Sequence, residues 1–228
     1  MKGKIIVIEG LDGAGKSTQI ELLKTKFEER GIDYKYIHFP MLNQGQYGEL
    51  IAEFLRGEYG ALKDVHPKLV AVLFANDRKE HIEKINQWLN EGYFVLMDRY
   101  VNSNIAFQCA KLEDFSEKEK LKNWILEFEY NYNKLPLPEV SFFLNVSLGA
   151  ISRSLSNERN GDEREYLNGK RDIHEKSLAL QKKVHAEYLK MLTEQNNLIC
   201  IDCCDDNNNL LDPATINNMI FDSLNLKS

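Results

Sequence analysis

The sequence predicts an α/β domain with a mostly parallel sheet, and three observations carry that expectation. Short β-branched and aromatic runs alternate with longer amphipathic stretches, the pattern of repeated strand–helix units. With 228 residues, 43% of them hydrophobic and 28% charged, the chain can bury an ordinary core without a disulfide or structural metal. A glycine-rich turn, Gly10 to Ser17, joins the first apolar run to the first amphipathic one. No internal repeat or linker interrupts the alternation, so one domain over residues 1–228 is expected.

The elements follow in order. KIIVIE (4–9) reads as a buried strand. Residues 16–30 read as a helix with Ile20, Leu22, Leu23 and Phe27 on one side and Gly31 ending it. YKYIHF (34–39) is a second strand closed by Pro40, and residues 46–57 form a short helix ending at Gly57. One long helix is expected over 67–90, with Pro67 suited to its first turn. YFVLMD (93–98) is the third strand. A helix carrying Asn104 and Phe107 follows it. The next helix, 116–132, opens on Ser116-x-x-Glu119, the spacing of a capping box. VSFFLNV (140–146) is the fourth strand, and a helix starts near Leu148. The polar stretch 157–171 precedes a helix over 172–195. NLICID (197–202) is the fifth strand, DDNNN (205–209) a loop, and 213–224 the last helix. The five strands are candidates for a single sheet.

Composition narrows the function. A net charge of −6 argues against a general nucleic-acid binder, so any anion site is local. No apolar run approaches the ~20 residues of a membrane span. The N-terminal apolar segment is too short for a signal peptide, which points to the cytoplasm and to no membrane partner. Cys200-x-x-Cys203 has metal-like spacing, but no second Cys or His pair lies nearby; Cys109, Cys200, Cys203 and Cys204 read as small packing residues.

Gly10-x-x-x-x-Gly15-Lys16-Ser17 fits a phosphate-binding loop between a strand and a helix. Glycines let successive N–H groups point inward, and the helix N-terminus adds a partial positive charge. Gly10, Gly13, Ala14, Gly15, Lys16, Ser17 and Thr18 are therefore the candidate residues for holding the phosphates of a nucleoside triphosphate. Lys16 would neutralise the β- and γ-phosphates and Ser17 would ligate Mg²⁺. The residues NKLP (133–136) lack the Asp of a guanine-reading motif. FVLM ends in Asp98-Arg99 rather than Asp-Glu, so a carboxylate can help hold the metal while the water-activating one is absent. An arginine there suits a second phosphorylated ligand, which points to transfer onto an acceptor. Phe74 and Arg78, four apart, share a helix face able to stack on a base and bond its edge. Taken singly, Phe74 also reads as core, Arg78 as a solvated charge, Arg99 as an ion pair with Asp98, and Asn104 and Phe107 as packing residues.

In combination, EGLDGAGKSTQ (9–19), FP (39–40), F-x-x-x-R (74–78), DRYVNSNIAF (98–107) and a basic segment near 153–171 resemble the thymidylate kinases. These belong to the P-loop nucleoside monophosphate kinases, and the resemblance spans nearly the whole chain. It implies a P-loop kinase fold: a five-stranded parallel sheet flanked by helices, with a short arginine-containing lid. It implies phosphorylation of dTMP to dTDP by ATP with Mg²⁺ in deoxynucleotide biosynthesis, and a homodimer through helices near 46–90 and 101–131. A kinase of the same group acting on another deoxynucleotide or a deoxynucleoside is the alternative.

The resemblance also implies residue roles. Asp12 would face the acceptor 3′-hydroxyl. Phe39, Pro40 and Tyr100 would line the pocket. Phe74 would stack on thymine, Arg78 would bond its O4 and Asn104 its N3. Phe107 would crowd the 2′ position, Arg99 would clamp the acceptor phosphate and Asp98 would help order Mg²⁺. Arg153 would pack on adenine, and Arg159 and Arg164 would reach the phosphates as catalytic arginines. Two departures stand out: Gly13 occupies the place where some members carry an arginine, and none occurs from Met41 to Leu50, where members often place one after Phe-Pro.

Overall fold

The computed structural model describes residues 3–42, 44–156 and 178–224. Among them, five strands form one parallel sheet in the order β2-β3-β1-β4-β5. They are β1 (Lys4–Gly10), β2 (Tyr34–His38), β3 (Phe94–Asp98), β4 (Val140–Asn145) and β5 (Leu198–Asp202). The central strand β1 is buried from Ile5 to Gly10, as expected for a parallel strand covered on both faces, and this is why its sequence is an unbroken apolar run. Helix α1 (Lys16–Glu29) packs on β1, β3 and α9 (Pro213–Ser223). Helix α5 (Val101–Cys109) packs on β1 and against α3 (Pro67–Glu80), α6 (Phe115–Leu126) and α8 (Leu178–Leu192). Helices α2 (Gly45–Leu55), α4 (Ile82–Asn90) and α7 (Leu148–Ser156) complete the described helices.

The strand register sets up the site. Ile8 of β1 lies beside Asp98 of β3, and Asp98 lies beside His38 of β2. The carboxyl ends of three strands thus sit in a row, where open α/β sheets bind ligands.

Three sequence expectations are corrected. The helix expected over 67–90 is two helices: α3 ends and α4 begins around His81, whose N–H bonds the Arg78 carbonyl. The cap of α6 is Asp114, whose carboxylate accepts from the Glu117 N–H at 2.9 Å, so no capping box at Ser116 starts this helix. After Leu126 that helix continues as a π-helical segment, Glu127–Tyr132, closed by an i→i+5 bond from Asn133 N–H to the Phe128 carbonyl. Wider winding keeps residues four apart in line. One stripe (Ile125, Glu129, Asn133) is therefore buried, while Trp124, Phe128 and Tyr132 stack in a ladder at 4.9 and 5.3 Å. Most of the expected lid (153–171) and the start of the helix expected over 172–195 lie outside the described residues.

Candidate active site

The donor loop is built by glycine. Gly10, Gly13 and Gly15 have φ of 153°, 85° and 84°, conformations that glycine adopts without strain. The loop folds back so that the Ala14 N–H bonds the Leu11 carbonyl at 3.2 Å. Lys16 lies only 8% exposed, and its Nζ donates to the Leu11 carbonyl at 2.9 Å. Burial, and then the nearby Arg99 charge, lower the Lys16 ammonium to about 8 against the pull of Asp98, Asp12 and Glu9. Ser17 and Thr18 stand exposed in the first turn of α1.

Arg99 binds the loop from the neighbouring strand. Its φ is 66°, a left-handed conformation that is uncommon and strained for a non-glycine residue and recurs at functional sites. Nη1 donates to the Gly10 carbonyl at 2.9 Å and to Ser103 Oγ at 3.1 Å, and Nη2 donates to Asp12 Oδ1 at 2.5 Å. The guanidinium also lies 5.1 Å from the Phe107 ring centroid, a cation–π contact. Its ion-pair partner is thus Asp12, not Asp98 as an isolated reading of the dipeptide suggests.

Beneath this pair lies a buried polar cluster that sequence reasoning missed. Glu9 accepts from Ser103 Oγ at 2.5 Å, Tyr188 OH at 2.9 Å and the Tyr100 N–H at 3.1 Å. Burial raises the Glu9 carboxyl against those bonds and the Arg99 charge. Gln181 Nε2 donates to Asp12 Oδ2 at 2.9 Å. Helix α8 thereby supports both Asp12 and Glu9. A glutamate ending an otherwise apolar strand was the available signal for Glu9; nothing local marks Tyr188 or Gln181.

Asp98 is buried; its Oδ2 lies 3.3 Å from His38 Nδ1 while Oδ1 is buried with no partner among the described residues. Burial opposes its ionisation, but the His38 bond, Lys16 and Arg99 outweigh that and hold the carboxyl below the usual range. An ionised, orphaned oxygen at the end of the strand beside the phosphate loop, with the exposed Ser17 hydroxyl in that loop's helix, fits a hard divalent cation. The described residues contain no cluster of three or more His, Cys, Asp or Glu able to hold a metal.

The expected acceptor residues converge on α3 and α5. Phe39 and Pro40, joined by a cis peptide bond, follow β2, and the Phe39 and Tyr100 ring centroids are 6.4 Å apart. The Met41 N–H bonds both carboxylate oxygens of Asp77, at 3.2 and 3.3 Å, which anchors the turn. Tyr100 OH donates to the Pro136 carbonyl at 3.0 Å. Asn104 Nδ2 donates to Glu129 and to the Ala71 carbonyl.

Of the pair expected to share a helix face at 74–78, one is half-buried and the other fully buried. Phe74 is half-buried against a cluster of Ile51, Phe54, Leu55 and Val70. Arg78 is 1% exposed, with Nε and Nη2 forked onto Glu129 at 2.6 and 2.7 Å. Burial opposes its charge, yet Glu129 holds its pKa above the ordinary value. Arg153 is exposed near the end of α7, whereas Arg159 and Arg164 lie outside the described residues.

A phosphate loop, a buried lysine at its mouth and an arginine bridging from the adjacent strand, all at the carboxyl ends of a parallel sheet, define a P-loop nucleotide kinase. The model of the family Thymidylate kinase matches residues 8–211. The thymidylate kinase of Mycobacterium tuberculosis (strain ATCC 25618 / H37Rv) is 34% identical over 192 residues, covering 83% of this chain and 86% of its own. A probable thymidylate kinase of Pyrococcus horikoshii is 31% identical over 195 residues, 84% of this chain and 83% of its own. The solved thymidylate kinase of Candida albicans superposes with a TM-score of 0.72 at 27% identity, covering 98% of this chain and 91% of that one. The chain belongs to the thymidylate kinase family.

Proposed function

We infer that this protein transfers the γ-phosphoryl group of ATP to dTMP, giving dTDP and ADP. The observation that carries the reading is the Arg99 guanidinium, bonded at once to Gly10 and Asp12 of the donor loop. A cation in that place faces both phosphates of a transfer reaction. The acceptor oxygen is already anionic, so no strong general base is needed, and catalysis is positioning plus charge neutralisation. Lys16 takes up the donor's charge. Arg99 exchanges Asp12 for the incoming acceptor phosphate, which leaves Asp12 able to accept the 3′-hydroxyl proton in a hydrogen bond. Asp98 and Ser17 would hold Mg²⁺, which supplies further neutralisation of the phosphates. Phe74, Arg78 and Asn104 serve the base; Phe39, Pro40, Tyr100 and Phe107 enclose the sugar side. Arg153, Arg159 and Arg164 are the candidate lid arginines, in a chain whose loop has Gly13 in place of arginine.

We further propose a homodimer and a cytoplasmic location. Leu69 on α3 is 63% exposed and Tyr132 is 76% exposed. The Lys68 ammonium lies 4.4 Å from the Trp124 ring centroid, which sets the exposed side of α3 beside the aromatic ladder. Adjoining exposed apolar groups of this kind favour an interface. No helix of the described residues is long and apolar enough to cross a membrane.

The test measures ADP release from ATP and Mg²⁺ over a panel of dTMP, dUMP, dCMP, dGMP and thymidine. The largest acceptor-stimulated rate is expected with dTMP; ATP binding without any acceptor-stimulated turnover would refute the reading. Sedimentation of the same preparation should give twice the chain mass, and a monomer at all concentrations would refute the dimer.

A further inference from the structure

We propose that Glu129 is a positioning residue that sets the hydrogen-bond polarity of the base pocket, and thereby selects 4-oxo pyrimidines over 4-amino pyrimidines. The proposal rests on the reading that Asn104 and Arg78 meet the acceptor base, and adds what determines the way each of them faces it.

Asn104 lies on α5 and is 2% exposed. Its Nδ2 is 2.8 Å from Glu129 Oε1 and 3.1 Å from the Ala71 carbonyl. Both partners are acceptors only, so the amide must present its NH₂ to them. Turning it over would set its oxygen against two oxygens. Asn104 Oδ1 is therefore directed elsewhere, and it is buried with no partner among the described residues. A buried orphan acceptor is unfavourable until a donor reaches it. Thymine and uracil offer N3–H; cytosine offers an acceptor at N3 and leaves the orphan unsatisfied.

The same carboxylate orients the second recognition group. Glu129 takes Nε and Nη2 of Arg78, which leaves Nη1 as the guanidinium nitrogen outside the fork. Arginine donates only, so it matches an O4 and opposes an amino group at C4. One anion thus imposes an acceptor on one side and a donor on the other, the complement of the uracil edge. Glu129 is 0% exposed and sits on the π-helical segment, whose winding keeps it in line with buried Ile125 and Asn133. Asn133 in turn docks on α3, through Nδ2 to the Ala75 carbonyl at 3.4 Å and by accepting Lys79 Nζ on its own carbonyl at 3.0 Å.

The test compares dUMP with dCMP, which differ only at N3 and C4. For the wild-type chain and Glu129→Gln, kcat/KM is measured for both acceptors with ATP and Mg²⁺, or affinity by calorimetry where turnover is too slow. The wild type should strongly prefer dUMP, and Glu129→Gln should lower the dUMP:dCMP ratio about tenfold or more, because the amide and guanidinium are no longer held in one orientation. A merely structural carboxylate would weaken both acceptors together; a ratio unchanged in a folded variant overturns the proposal. If the variant does not fold, amide NMR on wild type labelled with ¹⁵N-Asn and bound to dUMP decides. Asn104 amide protons close to Ala71 and away from the base support the assignment; amide protons against the base overturn it. Absence of dTMP turnover in the wild type would remove the underlying function as well, whereas an unchanged ratio with intact dTMP turnover removes only the role of Glu129.

Discussion

Lys16 in the donor loop and Arg78 in the acceptor pocket are both buried cations, and the two regions treat them in opposite ways. Lys16 donates to the neutral Leu11 carbonyl, and its ammonium is lowered to about 8. Arg78 has a counter-ion of its own in Glu129, and its charge is secured. The donor loop thus keeps a cation that negative phosphate would stabilise, while the Arg78–Glu129 pair beside the base pocket is neutral in itself before any ligand arrives. The difference follows from what each must bind: a highly charged polyphosphate on one side, an uncharged base on the other.

The largest expected effect breaks the contrast at Lys16. Lys16→Met should reduce turnover about 10³-fold or more, since a preorganised charge facing the transferred phosphoryl group is lost. Thermal unfolding without nucleotide should show the variant at least as stable as wild type, because an unfavourably buried charge has gone. Clear destabilisation would mean that the loop, rather than the ligand, uses the ammonium. At Arg78 the sign reverses. Arg78→Met strands Glu129 in the interior and should cost about 3–5 kcal/mol in a urea titration; wild-type stability in this variant would refute the internal counter-ion.

The smallest effect sharpens the comparison through pH. The folded chain releases the Lys16 proton near pH 8, the unfolded one near 10.5. Between these values the unfolded state holds more protons, so this group makes stability rise with pH, by about 3 kcal/mol across the window. Bound ATP should raise the Lys16 pKa again. Calorimetry near pH 8 in buffers of different ionisation enthalpy should therefore show net proton uptake on nucleotide binding, absent in Lys16→Met. Equal uptake by both proteins would assign the proton elsewhere.

The two regions also differ in how far they could be read in advance. Every group of the donor loop falls between Gly10 and Thr18, and its conformation is dictated by glycine, so spacing alone marks it. The acceptor pocket is assembled from distant pieces. Arg78 stands out in the sequence because Phe74 lies one helical turn away, but its partner Glu129 is 51 positions along the chain. Tyr188 meets Glu9 across 179 positions and Gln181 meets Asp12 across 169. None of these belongs to a local pattern. Phe74 illustrates the converse: its spacing admits both a face for a base and a place in the core, and only the packing shows it half-buried on Ile51, Phe54, Leu55 and Val70.

By itself the sequence determined the strand–helix alternation, the parallel sheet and the phosphate loop, because periodicity, glycine and charge spacing act over a few residues. Only the tertiary structure decided where each buried charge finds its partner. Asp12 with Arg99, Glu9 with Ser103 and Tyr188, and Glu129 with Arg78 and Asn104 meet through strand register and helix packing. Burial makes an unpaired charge costly there, and a linear sequence does not display which distant group will satisfy it.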